Sequence, residues 1–343
     1  MRYAQNKVDK MSTLLHEHCS HTFMGARQNY KEEINMKDMN GIKIIGVDHG
    51  YGNIKTASCC FLSGVAAFDE KPPVGYDLLR YDGRYYLIGA LHKTYSGVKV
   101  IDEDYYILTL AAVARELRQA ELTDARVYLA VGLPLSWVTT QSAAFRDYLL
   151  KDDSVDFTYR DIDYHVEFAG CEVFPQGFAA VADRLRDFSG HHMLCDIGNG
   201  TMNILHIKDG KPDATRMFTE EYGTKECSLA IRESLMRKYQ AKVDESVITE
   251  VFRTGTADID EAYLSVITAE AKKYADGVFK RLAERDYDPK QMRLYVVGGG
   301  GCILRNFGAY DASRTTVIDD ICATAKGYEF MAESRVRRRG GLV

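Results

Sequence analysis

Two seven-residue stretches, DHGYGNI at 48–54 and DIGNGTM at 196–202, place an aspartate before two glycines spaced two apart. Each follows an apolar, strand-like run and leads into another. Consecutive backbone N–H groups in such a turn form a concavity that receives anions. Glycine suits it by tolerating positive φ and by lacking the Cβ that would hold phosphate oxygens away. Asp48 and Asp196 would repel phosphate, so their presence makes sense with a Mg²⁺ between them, held largely through its own waters. Lys55, seven residues after Asp48, would supply a point charge. A third cluster, Gly298, Gly299, Gly300 and Gly301, follows the apolar LYVV. Any one cluster reads as a tight strand-ending turn. The three together point to a nucleotide held by its phosphates from two sides.

The elements that must carry these turns follow from periodicity. Ile42 to Asp48 and Asn53 to Leu62 read as a hairpin, and LLRYDGRYYLIG as another turning at Asp82-Gly83. The stretch from Asp102 to Ala120 has apolar residues at helical spacing, with an aspartate at its start as the expected cap. ARVYLAVGLP reads as a buried strand. The pattern restarts at HHMLCDIGNGTMNILHIKDGKPDA, a strand, glycine turn, strand, Asp-Gly turn and strand. Helices are expected over 223–239, 244–252 and 260–284, then RLYVV as a last buried strand and a terminal helix in ICATAKGYEFMAES. The match of the two turns, 148 residues apart, marks an internal repeat. The expected fold class is α/β, two duplicated domains around a nucleotide cleft. Residues 41–180 would form the first, completed by the helix at 320–335, and residues 181–319 the second.

The chain has 343 residues, a net charge of -5 and mixed charges along its length, which argues against a broad basic footprint for nucleic acid. Eight scattered cysteines without a C-x-x-C pair fit a reducing cytoplasm better than a disulfide framework. The first 40 residues read as a disordered or partly helical leader without a signal-peptide centre, with Met36 or Met39 as candidate natural starts. His16, His18, Cys19 and His21 lack the second ligand pair of a structural zinc site. Residues 336–343 read as a basic tail, with Arg337, Arg338 and Arg339 following Arg335. No run is long enough to span a bilayer. A cytoplasmic protein without a membrane partner is expected.

These motifs resemble those of the actin-like ATPase superfamily with its ribonuclease H-like fold, and most closely the bacterial plasmid-segregation actins of the ParM/StbA type. The resemblance rests on GVDHGYGNIKTA, VYLAVGLPLSWV, LCDIGNGTMNIL, LYVVGGGGCIL and ATAKGYEFMA, which occur in the family's order. It implies that Asp48, Gly50, Tyr51, Gly52, Asn53 and Lys55 form the first phosphate loop. Asp196, Gly198, Asn199, Gly200 and Thr201 would form the second, and Gly298, Gly299 and Gly300 would hold the adenosine. Gly223, Thr224, Arg232 and Glu233 would flank the base, on a looser match. Within VFPQGFAAV, Gln176 falls where the family positions the attacking water, and the bland reading makes it a helix-start residue after Pro175.

The resemblance further implies ATP or GTP and Mg²⁺ as cofactors, slow hydrolysis, assembly into homopolymer filaments, and a DNA-binding adaptor, with no direct contact to nucleic acid. Two other readings compete. A sugar-type kinase would need a catalytic aspartate by the cleft or a cysteine-rich zinc motif, and the sequence shows neither; Asp183 and Asp187 are expected to face solvent. A nucleotide-dependent switch without filaments remains, although a chaperone would need a peptide-binding domain after the ATPase.

Overall fold

The computed structural model describes residues 36–73, 75–90, 99–100 and 103–338. The histidine-rich leader motif and Arg339 lie outside them.

The first half of the chain builds one large sheet. Its strands are β1 (Asp38–Met39), β2 (Ile42–His49), β3 (Asn53–Lys55), β4 (Cys60–Leu62), β5 (Val65–Phe68), β6 (Leu78–Tyr81), β7 (Arg84–Ile88), β8 (Asp124–Leu133), β9 (Ser154–Tyr159) and β10 (Ile162–Pro175). They run β4-β3-β2-β8-β10-β9-β6-β7-β5, with β1 beside β2. Helix α1 (Asp104–Gln119) connects β7 to β8, and α2 (Val138–Leu149) connects β8 to β9. A 3-10 segment, Phe178–Asp187, follows β10.

The second sheet comprises β11 (His191–Ile197), β12 (Met202–Lys208), β13 (Lys211–Glu220), β14 (Arg293–Val297) and β15 (Thr315–Val317). Between them come α3 (Thr224–Tyr239), α4 (Glu245–Thr254), α5 (Glu261–Glu284) and α6 (Gly301–Phe307), and α7 (Ala323–Arg338) follows.

The repeat seen in the turns extends to the sheets. The order β4-β3-β2-β8-β10 recurs as β13-β12-β11-β14-β15. The senses agree as well: antiparallel across the first three strands, parallel across the last three. Even the register corresponds, since Asp48 lies opposite Lys55 and Asp196 opposite Asn203.

β2 and β8 are apolar on both faces because both faces are covered, as parallel strands require. Ile45 and Val47 pack into the core under α1, while Ile42 and Ile44 meet Tyr328 and Ala332 of α7. Helix α1 is buried over 12 of its 16 residues, which explains its apolar sequence on nearly every side. A separate core joins β11, β12 and β14 to α3, α4, α5 and α6. On the opposite face of that sheet, Leu194, Leu205, Ile207 and Val297 meet Phe178 and Val181 of the 3-10 segment.

Four local expectations need correction. The run Asn53–Leu62 is two short strands, because Thr56 and Cys59 close a turn by backbone and side-chain hydrogen bonds, and Glu116 of α1 binds the Ser58 N–H and hydroxyl. Helix α1 has Glu103 at its N-cap with no side-chain cap; Asp104 sits in the first turn, where its charge favours the dipole. RLYVV is not the last strand, since β15 follows it. Helix α7 continues to Arg338 with Val336 buried, so Arg335 and Arg337 belong to the helix and pair with Glu172 and Glu333. The Asp-Gly hairpins are as expected: Asp82-Gly83 and Asp209-Gly210 all take left-handed φ, which matches the twist of the paired strands.

Candidate nucleotide site

Asp48 and Asp196 are the penultimate residues of β2 and β11, and the glycine turns that follow face each other. A Cβ on Gly52 would come within 2.8 Å of the Asn199 side chain. The requirement for glycine is therefore steric rather than conformational. None of Gly50, Gly52, Gly198 or Gly200 adopts positive φ, contrary to the sequence expectation. On Gly50, a Cβ would meet the Asn53 carbonyl oxygen at 2.6 Å.

Left-handed glycines occur instead beside the second aspartate. Gly177 has φ 74° and Gly298 φ 83°. Added Cβ atoms would lie 2.6 Å from the Asp196 Cβ and 2.4 Å from its Oδ1, respectively. In the third cluster, Gly300 is required by Ile197, 2.2 Å from where its Cβ would stand, whereas Gly299 meets nothing within 4 Å. The cluster thus lies against the end of β11 and leaves one open backbone position.

Asp48 is 5% exposed and both its oxygens are engaged. Lys55 Nζ donates to Oδ2 at 3.1 Å and Gln176 Nε2 to Oδ1 at 3.0 Å. Burial alone would raise the Asp48 pKa, but the Lys55 and Lys99 ammonium groups hold it below the ordinary carboxylate value. Asp196 shows the opposite outcome. Burial and the nearby Asp48 charge push it up to about 6, against the pull of Lys55 and the Asn203 amide. Burial disfavours the Lys55 cation too, yet the two carboxylates together raise its pKa. Two acids and one lysine thus share a single electrostatic site, with one carboxylate carrying the unfavourable share.

Gln176 is 9% exposed and reaches the site from the end of β10, its backbone N–H donating to the Leu133 carbonyl. It stands two residues before the 3-10 segment, and its side-chain amide donates a hydrogen bond to Asp48. The second turn is held from behind by the start of α3. Thr224 N–H donates to the Gly198 carbonyl and Lys225 N–H to the Asn199 carbonyl, both at 3.0 Å. Gly223 has no room for a Cβ, which would stand 2.1 Å from the Asn199 oxygen. Thr201 is buried, and its carbonyl accepts from Gly198 N–H. Tyr51 is buried beside Tyr105, and Asn53 opens β3.

Arg232 and Glu233, expected to flank the base, lie farther along α3 than Gly223 and Thr224. Both are exposed on α3, and Arg232 pairs with Glu245 at 3.0 Å. Asn203 and Lys99 escaped the sequence reading. Asn203 was detectable, since extending the repeat by one residue aligns it with Lys55. Lys99, in GVKV, carries no motif.

The acids fit a divalent cation by one observation: a carboxylate raised by burial and by its neighbour's charge is relieved by added positive charge. Because both Asp48 oxygens are occupied, contact through the metal's waters suits the donor set better than direct ligation. No group of three or more metal-binding side chains occurs among the described residues, and none of their helices is long and apolar enough to cross a membrane.

A family model described as "Actin like proteins N terminal domain" matches residues 46–178, which span β2 to Gln176. Solved structures extend the likeness to the rest of the chain. The archaeal actin homolog Ta0583 in complex with ADP superposes with a TM-score of 0.68 at 18% identity, covering 85% of this chain and 99% of that one. The chain has the actin-like fold. Bacillus thuringiensis ParM with ATP gives a TM-score of 0.64 at 12% identity, covering 86% of this actin-like chain and 99% of that one. The Alp12 filament structure gives 0.64 at 16%, with coverage of 86% and 99%. No curated protein matches the chain.

Proposed function

We propose that the chain is a nucleotide-driven, filament-forming ATPase of the ParM type, which binds Mg-ATP between two lobes and hydrolyses it slowly. The observation that carries this reading is the junction of Asp48, Lys55, Gln176 and Asp196 at two facing turns of equivalent strands. The lobes would be residues 41–180 with α7, and residues 181–319. The neighbours with bound ADP and ATP, and the Alp12 filament, support the same assignment.

Phosphoryl transfer requires positioning and charge neutralisation more than covalent help. Backbone N–H groups of the two turns would hold the β- and γ-phosphates, and Lys55 would neutralise their oxygens. Mg²⁺, associated with Asp48 and Asp196 through water, would supply the remaining positive charge. Gly298 to Gly300 and the Gly223–Thr224 corner would border the nucleoside. The Asp48 bond fixes the orientation of the Gln176 amide, so that its Oε1 is presented as an acceptor for the attacking water. A neutral amide orients that water without taking its proton, which suits a timer of filament life. Self-association, a DNA-binding adaptor and a plasmid-type cargo complete the reading.

Light scattering on the purified protein tests it: intensity should rise with Mg-ATP and stay flat with ADP. Phosphate transfer to a sugar without assembly would instead favour the kinase. Against that alternative, Asp183 and Asp187 are both exposed. Gln176→Ala should slow phosphate release about 10²-fold and leave ATP-driven scattering intact. Release at the parent rate would remove Gln176 from the mechanism.

A further inference from the structure

Lys99 is 2% exposed, yet no carboxylate among the described residues lies within ion-pair distance of its ammonium. Taking a cation out of water is unfavourable, so the surroundings of this ammonium require explanation. Nζ donates to the backbone carbonyl of His49 at 2.6 Å. Three rings enclose it, with centroids at 5.9 Å for Tyr51, 5.5 Å for Tyr105 and 5.8 Å for Phe145. Aromatic faces attract a desolvated cation, and they also fix its position.

That position is informative. His49 and Tyr51 belong to the first glycine turn, and Asp48 precedes them. The His49 ring is held from the other side by Thr109 of α1, Nε2 to Oγ1 at 2.7 Å, and makes edge contacts with Tyr105 and Phe145. Burial and the Lys99 charge push the imidazole pKa down to about 3, and burial lowers that of Lys99 to about 8 against the pull of Asp48, so near pH 7 the imidazole is neutral and Lys99 carries the charge. The Asp48 carboxylate in turn feels both lysines. Lys55 contacts Asp48 directly, while Lys99 acts from beneath the turn.

We propose that Lys99 is a positioning residue for triphosphate binding: its caged ammonium pins the first turn through the His49 carbonyl and adds positive potential under the phosphates. This rests on the nucleotide reading above. A cage that only stabilised the fold would influence adenosine and ATP equally; a charge under the phosphates influences ATP alone. At an effective dielectric of about 20, a unit charge acting over about 10 Å changes affinity about tenfold.

Calorimetric titration separates the possibilities, using a non-hydrolysable Mg-ATP analogue and adenosine as probes. Lys99→Met and Lys99→Gln should each weaken the analogue about tenfold and leave adenosine unchanged, whereas Lys99→Arg should retain most of the affinity. The glutamine variant keeps a donor for the His49 carbonyl without the charge, and with Lys99→Arg it serves if the methionine variant does not fold. Parallel losses for both ligands, or wild-type analogue affinity in Lys99→Gln, would overturn the proposal. A wild-type protein that binds neither ligand would remove the nucleotide reading itself, and the role of Lys99 with it.

Discussion

Asp196→Ala is expected to reduce ATP turnover by about 10²–10³-fold while raising the melting temperature of the nucleotide-free protein at neutral pH. The two effects have one cause. Asp196 lies near the end of β11 beside the left-handed Gly177 and Gly298, and burial with the Asp48 charge raises its pKa from 3.8 to about 6. A carboxyl whose folded pKa lies above its unfolded one is favoured in its protonated form. Its contribution is present below about pH 4 and is lost as pH rises toward 6. At pH 7 the ionised group therefore strains the folded state, and its removal relieves that strain. Phosphate release and calorimetric melting between pH 4 and 7.5 provide the check. The melting difference between parent and variant should shrink toward zero at the acid end. A variant that turns over ATP normally would contradict the role given to Asp196; one that melts lower at pH 7 would contradict the electrostatics.

Gly327→Ala should cost about 3 kcal/mol or more, the largest stability effect expected of any single methyl addition here. Helix α7 crosses the 3-10 segment so closely that a Cβ on Gly327 would stand 1.9 Å from the Ala179 carbonyl oxygen and 2.3 Å from its carbon. Both are backbone atoms, so no rotamer change can give way and the helix must lift. The same helix presses on β2, where a Cβ on Gly46 would lie 2.2 Å from the Ala325 oxygen. There the Gly46 N–H donates to Glu329, whose burial raises its pKa to about 8. Urea unfolding monitored by circular dichroism measures the loss. An alanine variant within about 0.5 kcal/mol of the parent would mean that the close packing of α7 is not needed. Ala179 follows Gln176 by three residues, so a lifted helix should also disturb the Gln176–Asp48 bond.

The fold was readable where the same pattern appears twice. Equivalent turns at Asp48 and Asp196 implied equivalent sheets, and the strand orders agree. The Asp-Gly hairpins were readable because two-residue loops need left-handed residues. What escaped depends on contacts between distant segments. The turn at Thr56–Cys59 is set by Glu116 on another element. In the first turn, Gly50 and Gly52 are crowded by Asn53 and Asn199 rather than required by their own φ. Lys99 has meaning only once three rings from other segments surround it.

The union of α7 with β2 has a consequence for synthesis. Gly46 and Glu329 are 283 residues apart, so Ile42 and Ile44 stay uncovered on one face until nearly all of the described chain has left the ribosome. Contacts of such separation form late. The first sheet is therefore completed last, by a helix from the far end of the described chain.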